Sequence, residues 1–213
     1  DSDDLWLPQK LEAQFHALNG AGAGWCYTNY ELLDGDDRPI PLRAGMFRPL
    51  SGRIAHALLS DETGASIVTL LLRRDLFETL GGFDETLRLR EDLDFELRLA
   101  QAADAIAVPD ILVRVRDHSD RKTRSAARPH ESTAKIYERF LERRPDRALA
   151  RLARRKWAYH LAEAGALRLA AGDMKAAGRL LVQALIQKDK PGHWMRAAAR
   201  GLLALARNRL GAR

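Results

Sequence analysis

Stretches of strand character alternate with helical patterns as far as about residue 118, and beyond that point every pattern is helical. The segment "WCYTNYELL" at 25–33 is rich in aromatic and β-favouring residues and runs into "DGDD", a turn signal, so it predicts a strand. At 65–72, "ASIVTLLL" is a continuous apolar run of strand length, as expected of a strand covered on both faces. "AIAVPDILVRVRDH" predicts one or two further strands. Helical segments lie between them. Pro8 stands at a first turn, with Leu11, Phe15 and Leu18 at helical spacing and "NGAGAG" as the stop. "SGRIAHALLS" reads as a helix, "RDLFETL" ends at Gly81-Gly82, where the second glycine can take a positive φ, and "EDLDFELRLAQAA" is amphipathic. This order predicts an α/β fold.

From about Ser119 the chain is polar, basic and loop-like, and three or four helical patterns rich in Ala, Leu and Arg follow. The boundary lies near 119–130, giving one domain over 1–118 and a basic α-helical extension over 119–213. Inside the extension, "LAEAGALRLAAGDMKAAGRLLVQAL" predicts two helices meeting at Gly172-Asp173, with Gly165, Ala177 and Ala184 placed for close contact. It resembles a tetratricopeptide hairpin, with one unit visible and Arg168 where the first helix usually has an aromatic residue. Charge divides at the same place. Residues 1–113 hold 10 Lys and Arg against 20 Asp and Glu, and the remaining residues hold 25 against 9. The first part suits a metal, the second a phosphate-rich or membrane surface.

The single cysteine, Cys26, excludes an internal disulfide framework and a CxxC zinc site, and a reducing, cytoplasmic compartment is the simplest expectation. No apolar run approaches the length needed to cross a bilayer, and no charged-then-apolar leader opens the chain, so it is expected to be neither anchored nor secreted. A start at Asp1 rather than Met suggests a fragment. No glycine-rich phosphate loop occurs, and His16, His56, His130, His160 and His193 show no ligand spacing.

Two acidic segments carry the chemistry. In "DSDDLW", Asp1 and Asp3 are two apart, so an extended backbone points both to one side, and two hard oxygen donors can share one Mg²⁺ or Mn²⁺. In "GGFDETLRLREDLDFELRLA", a glycine turn carries Phe83 and Asp84, and the pair Glu91-Asp92 opens the next helix. Together with "ASIVTLLLRRDLFETLGGFDE" between them, these segments resemble the family 2 glycosyltransferases of the GT-A fold over roughly residues 1–118. The resemblance implies a partial GT-A-type, Rossmann-like catalytic half that lacks the N-terminal nucleotide-binding half. For a longer parent chain it also implies an inverting, metal-dependent hexosyl transfer from a nucleotide-diphosphate sugar to a hydroxyl of a glycan or lipid-linked acceptor, in building a cell-surface glycan, with the fragment itself expected to be inactive. By position, Asp1 and Asp3 would bind the metal with His118 as third ligand, and Arg121 would clamp the donor diphosphate. Asp92 would be the base, with Glu91 beside it, and Gly81, Gly82 and Asp84 would shape the acceptor side.

A second class of function is a basic helical module without catalysis. "RRPDRALARLARRKW" and "HWMRAAARGLLALARNRLGAR" concentrate arginine on helices with apolar stripes, a pattern that suits an anionic membrane surface or a polyanion. Nucleic acid is not expected, because no aromatic stacking platform accompanies the charge. A peripheral place on the inner membrane face would follow from the membrane alternative.

Overall fold

The computed structural model describes residues 3–40, 48–116, 127–187 and 191–210, with backbone alone at 191–194 and 208–210. The chain divides into two compact units, residues 1–86 with 91–121 and residues 87–90 with 122–213.

In the first unit the strand expected at 25–33 is the hub of a mixed sheet. The strands are β1 (Leu5–Trp6), β2 (Trp25–Leu33), β3 (Pro39–Ile40), β4 (Leu70–Leu72) and β5 (Ala105–Arg116). β5 runs parallel to β2, β1 pairs antiparallel with β5, and β3 and β4 pair antiparallel with β2. The register of the central pair slips after Thr28, which faces Val108, while Asn29 faces Ile111. Pro109 falls in the slip, where its missing N–H breaks no ladder bond, and the Asn29 side-chain amide donates to the Pro109 carbonyl at 2.7 Å. Among the described residues, the helices of this unit are α1 (Lys10–Ala21), α2 (Ala55–Leu59), α3 (Arg74–Thr79) and α4 (Glu91–Ala102).

Two expectations change here. The run at 65–72 is not one strand: Ile67–Thr69 form a 3-10 turn, and only Leu70–Leu72 pair. The cause is local, since both the Thr69 N–H and its hydroxyl donate to the Ser66 carbonyl, at 2.8 and 2.6 Å, and close a turn before the strand can start. The second concerns α1, which turns Leu11 and Phe15 outward and buries Lys10 and Gln14. Lys10 is only 1% exposed; its ammonium donates to Gln14 Oε1 at 2.7 Å and sits 3.9 Å from the centre of the Trp6 ring. Gln14 in turn donates to the Thr69 carbonyl at 2.9 Å and contacts the buried Cys26 sulfur. Burial pulls Lys10 down to about 8 and pushes the Cys26 thiol up to about 11.

The second unit is helical: α5 (Ala127–Glu142), α6 (Arg147–Ala170), α7 (Met174–Ile186) and α8 (Pro191–Leu210). α6 is the central helix, with α5, α7 and α8 packed on it. Asp146 caps α6 by accepting from Ala148 and Leu149 N–H at 2.8 and 3.0 Å, and Asp173 caps α7 by accepting from Ala176 N–H at 3.1 Å. The α6–α7 pair closes on small residues as expected, for a Cβ on Gly165 would stand 2.8 Å from Leu181 Cγ. Arg168, where an aromatic would be usual, instead pairs with Glu131 of α5 at 2.8 Å.

His130 of α5 and His160 of α6 meet at 3.0 Å between their Nδ1 atoms, so one ring donates and the other accepts, and both cannot be protonated there. Tyr137 stacks on His160 with ring centres 5.7 Å apart. Burial, then the charges of His130, Lys156 and Arg90, pulls His160 down to about 3. A histidine whose folded pKa lies below its unfolded value stabilises the fold above the unfolded pKa, and that contribution is lost as pH falls below about 6.5. Acidification to pH ~4.5 is expected to cost the helical unit about 2–3 kcal/mol through this group alone. Hydrogen exchange across α5 and α6 checks it: protection should fall between pH 6.5 and 4.5 in the native chain and much less in His160→Phe. A pH-independent protection pattern would remove the pair from the account.

Candidate active site

The carboxyl end of a parallel strand is where an open α/β sheet offers backbone and loops to a ligand. Here that end is Arg116, the last residue of β5, and the acidic N-terminal segment is tied to it. The Arg116 N–H donates to Asp4 Oδ1 at 3.3 Å, its guanidinium donates to the Asp3 carbonyl at 2.6 Å, and it forks onto Asp37 at 2.7 and 3.3 Å. The fork holds the Asp37 carboxyl below its ordinary value, chiefly by hydrogen bonding. β1 then pairs Leu5 with Arg114 and Trp6 with Val113, and Arg114 itself pairs across the strand with Glu31 at 2.6 Å. These pairings fix Asp4 and Trp6 beside the strand end, with Lys10 under the Trp6 ring.

The other wall comes from the glycine turn. Gly81 and Gly82 both take the left-handed region, at φ 77° and 63°, so the first glycine as well as the second has a conformation that a side chain would strain. One arginine anchors this turn. Arg98 on α4 donates to the Leu80 carbonyl at 2.6 Å, to the Gly82 carbonyl at 2.7 Å and to Asp94 at 2.8 Å, and Asp94 is 0% exposed. Phe83 packs on Phe95 and Phe77 with ring centres 5.0 and 5.8 Å apart. Asp84 accepts from the Thr86 N–H and hydroxyl at 2.9 and 2.6 Å, which closes the loop after the turn.

Between these walls lies an open cavity of about 630 Å³ lined by Asp4, Trp6, Ile67, Val68, Phe83, Glu91 and Asp92. Asp92 is half-buried at the first turn of α4, and its Oδ1 accepts the Leu93 N–H at 2.7 Å. The cavity therefore combines three carboxylates, two exposed aromatic faces and an apolar floor. Such a lining can accept hydrogen bonds from hydroxyls, stack on a sugar ring and take up a proton.

The fold thus brings Asp92 and Glu91 to the same cavity as the "DSDD" segment, where Asp4 is the lining residue and Asp3 lies beside it with its carbonyl on Arg116. Gly81, Gly82 and Asp84 shape the turn that presents Phe83, and they are not among the lining residues. Asp1, His118 and Arg121 lie outside the described residues. Among the described residues no group of three His, Cys, Asp or Glu is placed to hold a metal ion. Arg98, Arg116 and Lys10 were not singled out in the sequence. Arg98 had a signal, being four residues after Asp94 on one helix face; the partners of Arg116 are remote in sequence and left none.

No protein-family model matches the chain. An uncharacterized glycosyltransferase of Rickettsia typhi is 25% identical over 155 residues, which cover 66% of this chain and 45% of the relative. One from Rickettsia bellii is 26% identical over 153 residues, covering 66% of this chain and 21% of the relative. The chain thus spans less than half the length of these curated relatives. Among solved structures, S. aureus TarS 1–349 in complex with UDP-GlcNAc matches with a TM-score of 0.55 at 14% identity, covering 99% of this chain and 66% of that one. A second structure of S. aureus TarS matches at 0.52 and 15% identity, covering 93% of this chain and 39% of that one. The relatives are glycosyltransferases by name, and the fold is similar to that of TarS.

Proposed function

We propose that these residues are the catalytic half of an inverting glycosyltransferase of family 2, with a GT-A-type, Rossmann-like fold, acting with a nucleotide-diphosphate sugar as donor. The observation that carries this is one cavity lined by Asp4 of "DSDD" together with Glu91 and Asp92. It is further supported by relatives named glycosyltransferases and by a structural match whose own complex holds UDP-GlcNAc.

In this reaction an acceptor hydroxyl oxygen attacks the anomeric carbon as the bond to the diphosphate oxygen breaks, and the hydroxyl proton passes to Asp92. Glu91 stands beside it at the helix start, where the helix dipole favours negative charge. Trp6 and Phe83, 55% and 40% exposed, offer the flat faces on which a sugar ring can stack. The acceptor is a glycan or a lipid-linked glycan of the cell surface, the sugar transferred a hexose. A divalent cation, Mn²⁺ or Mg²⁺, supplies charge neutralisation on the leaving diphosphate when bound. Asp1, Asp3 and His118 are proposed as its ligands on donor chemistry alone, and Arg121 as the diphosphate clamp.

The test is transfer or donor hydrolysis by the intact protein with a panel of nucleotide-diphosphate sugars. Activity should vanish in excess chelator, return with Mn²⁺ or Mg²⁺, and be lost in Asp3→Ala with the circular dichroism spectrum unchanged. Undiminished activity in chelator would overturn the metal assignment, and no turnover of any nucleotide sugar by the intact protein would overturn the enzyme.

A further inference from the structure

We infer that α7 and α8 form a docking face for an anionic lipid surface. Both helices pack on α6 and on each other, and most of the residues they bury are small. α7 buries Ala177, Leu180 and Ala184. α8 buries Ala197 and Gly201, and a Cβ on Gly201 would stand 2.7 Å from the Ala166 carbonyl oxygen, so the helix lies close on α6 along that side. With the small residues used inward, the large apolar ones face out. Along α7 these are Met174, Val182, Leu185 and Ile186, the last 65% exposed, and on α8 they are Met195, Leu202 and Leu203, the last 61% exposed. Val182, Leu185 and Ile186 recur at helical spacing on α7, and Leu202 and Leu203 are consecutive on α8, so each helix exposes a group of large apolar residues rather than isolated ones.

Charge selects the occupant. From Met174 to Arg213 the chain has nine Lys and Arg and a single acidic residue, Asp189. On the described surface Lys175 and Arg179 flank the α7 stripe, and Arg196, Arg200 and Arg207 flank that of α8, with Arg200 paired to Glu163 of α6. A second copy of the same face would bring like charges together, which opposes self-association. A soluble polyanion would satisfy the basic residues and leave the apolar side chains in water. An anionic bilayer satisfies both, taking the apolar side chains below the headgroups while the long basic stems reach up to them. The helices lie on such a surface and do not cross it, for among the described residues no helix is long and apolar enough to span a membrane.

The experiment is co-sedimentation of the 213-residue chain with vesicles of mixed phosphatidylglycerol and phosphatidylcholine, and with phosphatidylcholine alone. The chain should bind the anionic vesicles at low salt and be released at high salt. Leu202→Ser combined with Leu203→Ser should weaken binding at least about tenfold. Lys175→Gln, Arg179→Gln and Arg196→Gln should weaken it roughly fivefold each at low salt. All five positions are exposed, so the circular dichroism spectrum and Tm should stay at the parent values. Equal binding to neutral vesicles would overturn the inference, as would absence of binding at any salt. Binding to heparin with no response to the Leu202 and Leu203 changes would replace it with a polyanion site. A dimer that Leu203→Ser dissolves, without vesicle binding, would replace it with a second copy.

Discussion

Asp92→Asn should lower the rate of sugar transfer by about 10²–10⁴-fold, the usual loss when a general base is removed. The substitution is conservative in every other respect. An asparagine side-chain oxygen can still accept the Leu93 N–H that Asp92 Oδ1 accepts at 2.7 Å, so the start of α4 keeps that bond and the cavity keeps its shape. Donor affinity, read by titrating the nucleotide sugar against the variant, should change little, because the lost function is proton acceptance from the acceptor and not a donor contact. Glu91 supplies the control. It lines the same cavity one residue away and is exposed, so Glu91→Gln should reduce the rate far less. If Asp92→Asn turned over at the parent rate while Glu91→Gln was inactive, the base would be the other member of the pair. If both were silent, the cavity would have a binding role only.

How much of this arrangement the sequence discloses depends on the range of the interaction involved. β2 and α4 were legible because their signals are local: an aromatic and β-favouring run ending in "DGDD" for the first, and an apolar face with acids in the first turn for the second. The glycine turn was legible for the same reason, since two adjacent glycines after a short helix have few other uses. α1 misled because periodicity shows which residues share a face and does not say which face is buried. Leu11 and Phe15 are at correct spacing, yet Lys10 and Gln14 go inside, where Gln14 can bond the Thr69 carbonyl and the sulfur of Cys26. The run at 65–72 misled because a threonine hydroxyl can bond the backbone carbonyl three residues earlier and close a turn inside an apolar stretch. Arg116 was invisible, as its three partners lie in segments far away along the chain. The tetratricopeptide likeness of the α6–α7 pair rests on its sequence, and only the close packing at Gly165 is a matter of geometry.

Arg98→Ala should destabilise the first unit by about 3–5 kcal/mol, the usual cost of removing one partner from a buried ion pair. Asp94 is fully buried, and the Arg98 guanidinium is its charged partner at 2.8 Å, so the carboxylate would be left in a low-dielectric site without that compensation. Two further bonds go with it, those to the carbonyls of Leu80 and Gly82. Thermal unfolding should report a fall in Tm of roughly 10 °C. Arg98→Lys should recover only part of the loss, because an ammonium is a compact donor and cannot reproduce a planar fork spread over one carboxylate and two carbonyls. The double change Asp94→Leu with Arg98→Met separates stability from positioning. It removes the charge and its partner together, so most of the stability should return. The turn carbonyls would still lack their donors, however, and Phe83 at the cavity wall would be held only by its packing on Phe95 and Phe77. That variant should therefore fold near the parent Tm and still show a raised KM for the acceptor, with the rate at saturation less affected. An Arg98→Ala protein as stable as its parent would show that the buried pair does not hold the turn. A double variant with parent KM would show that the turn does not position Phe83 for the acceptor.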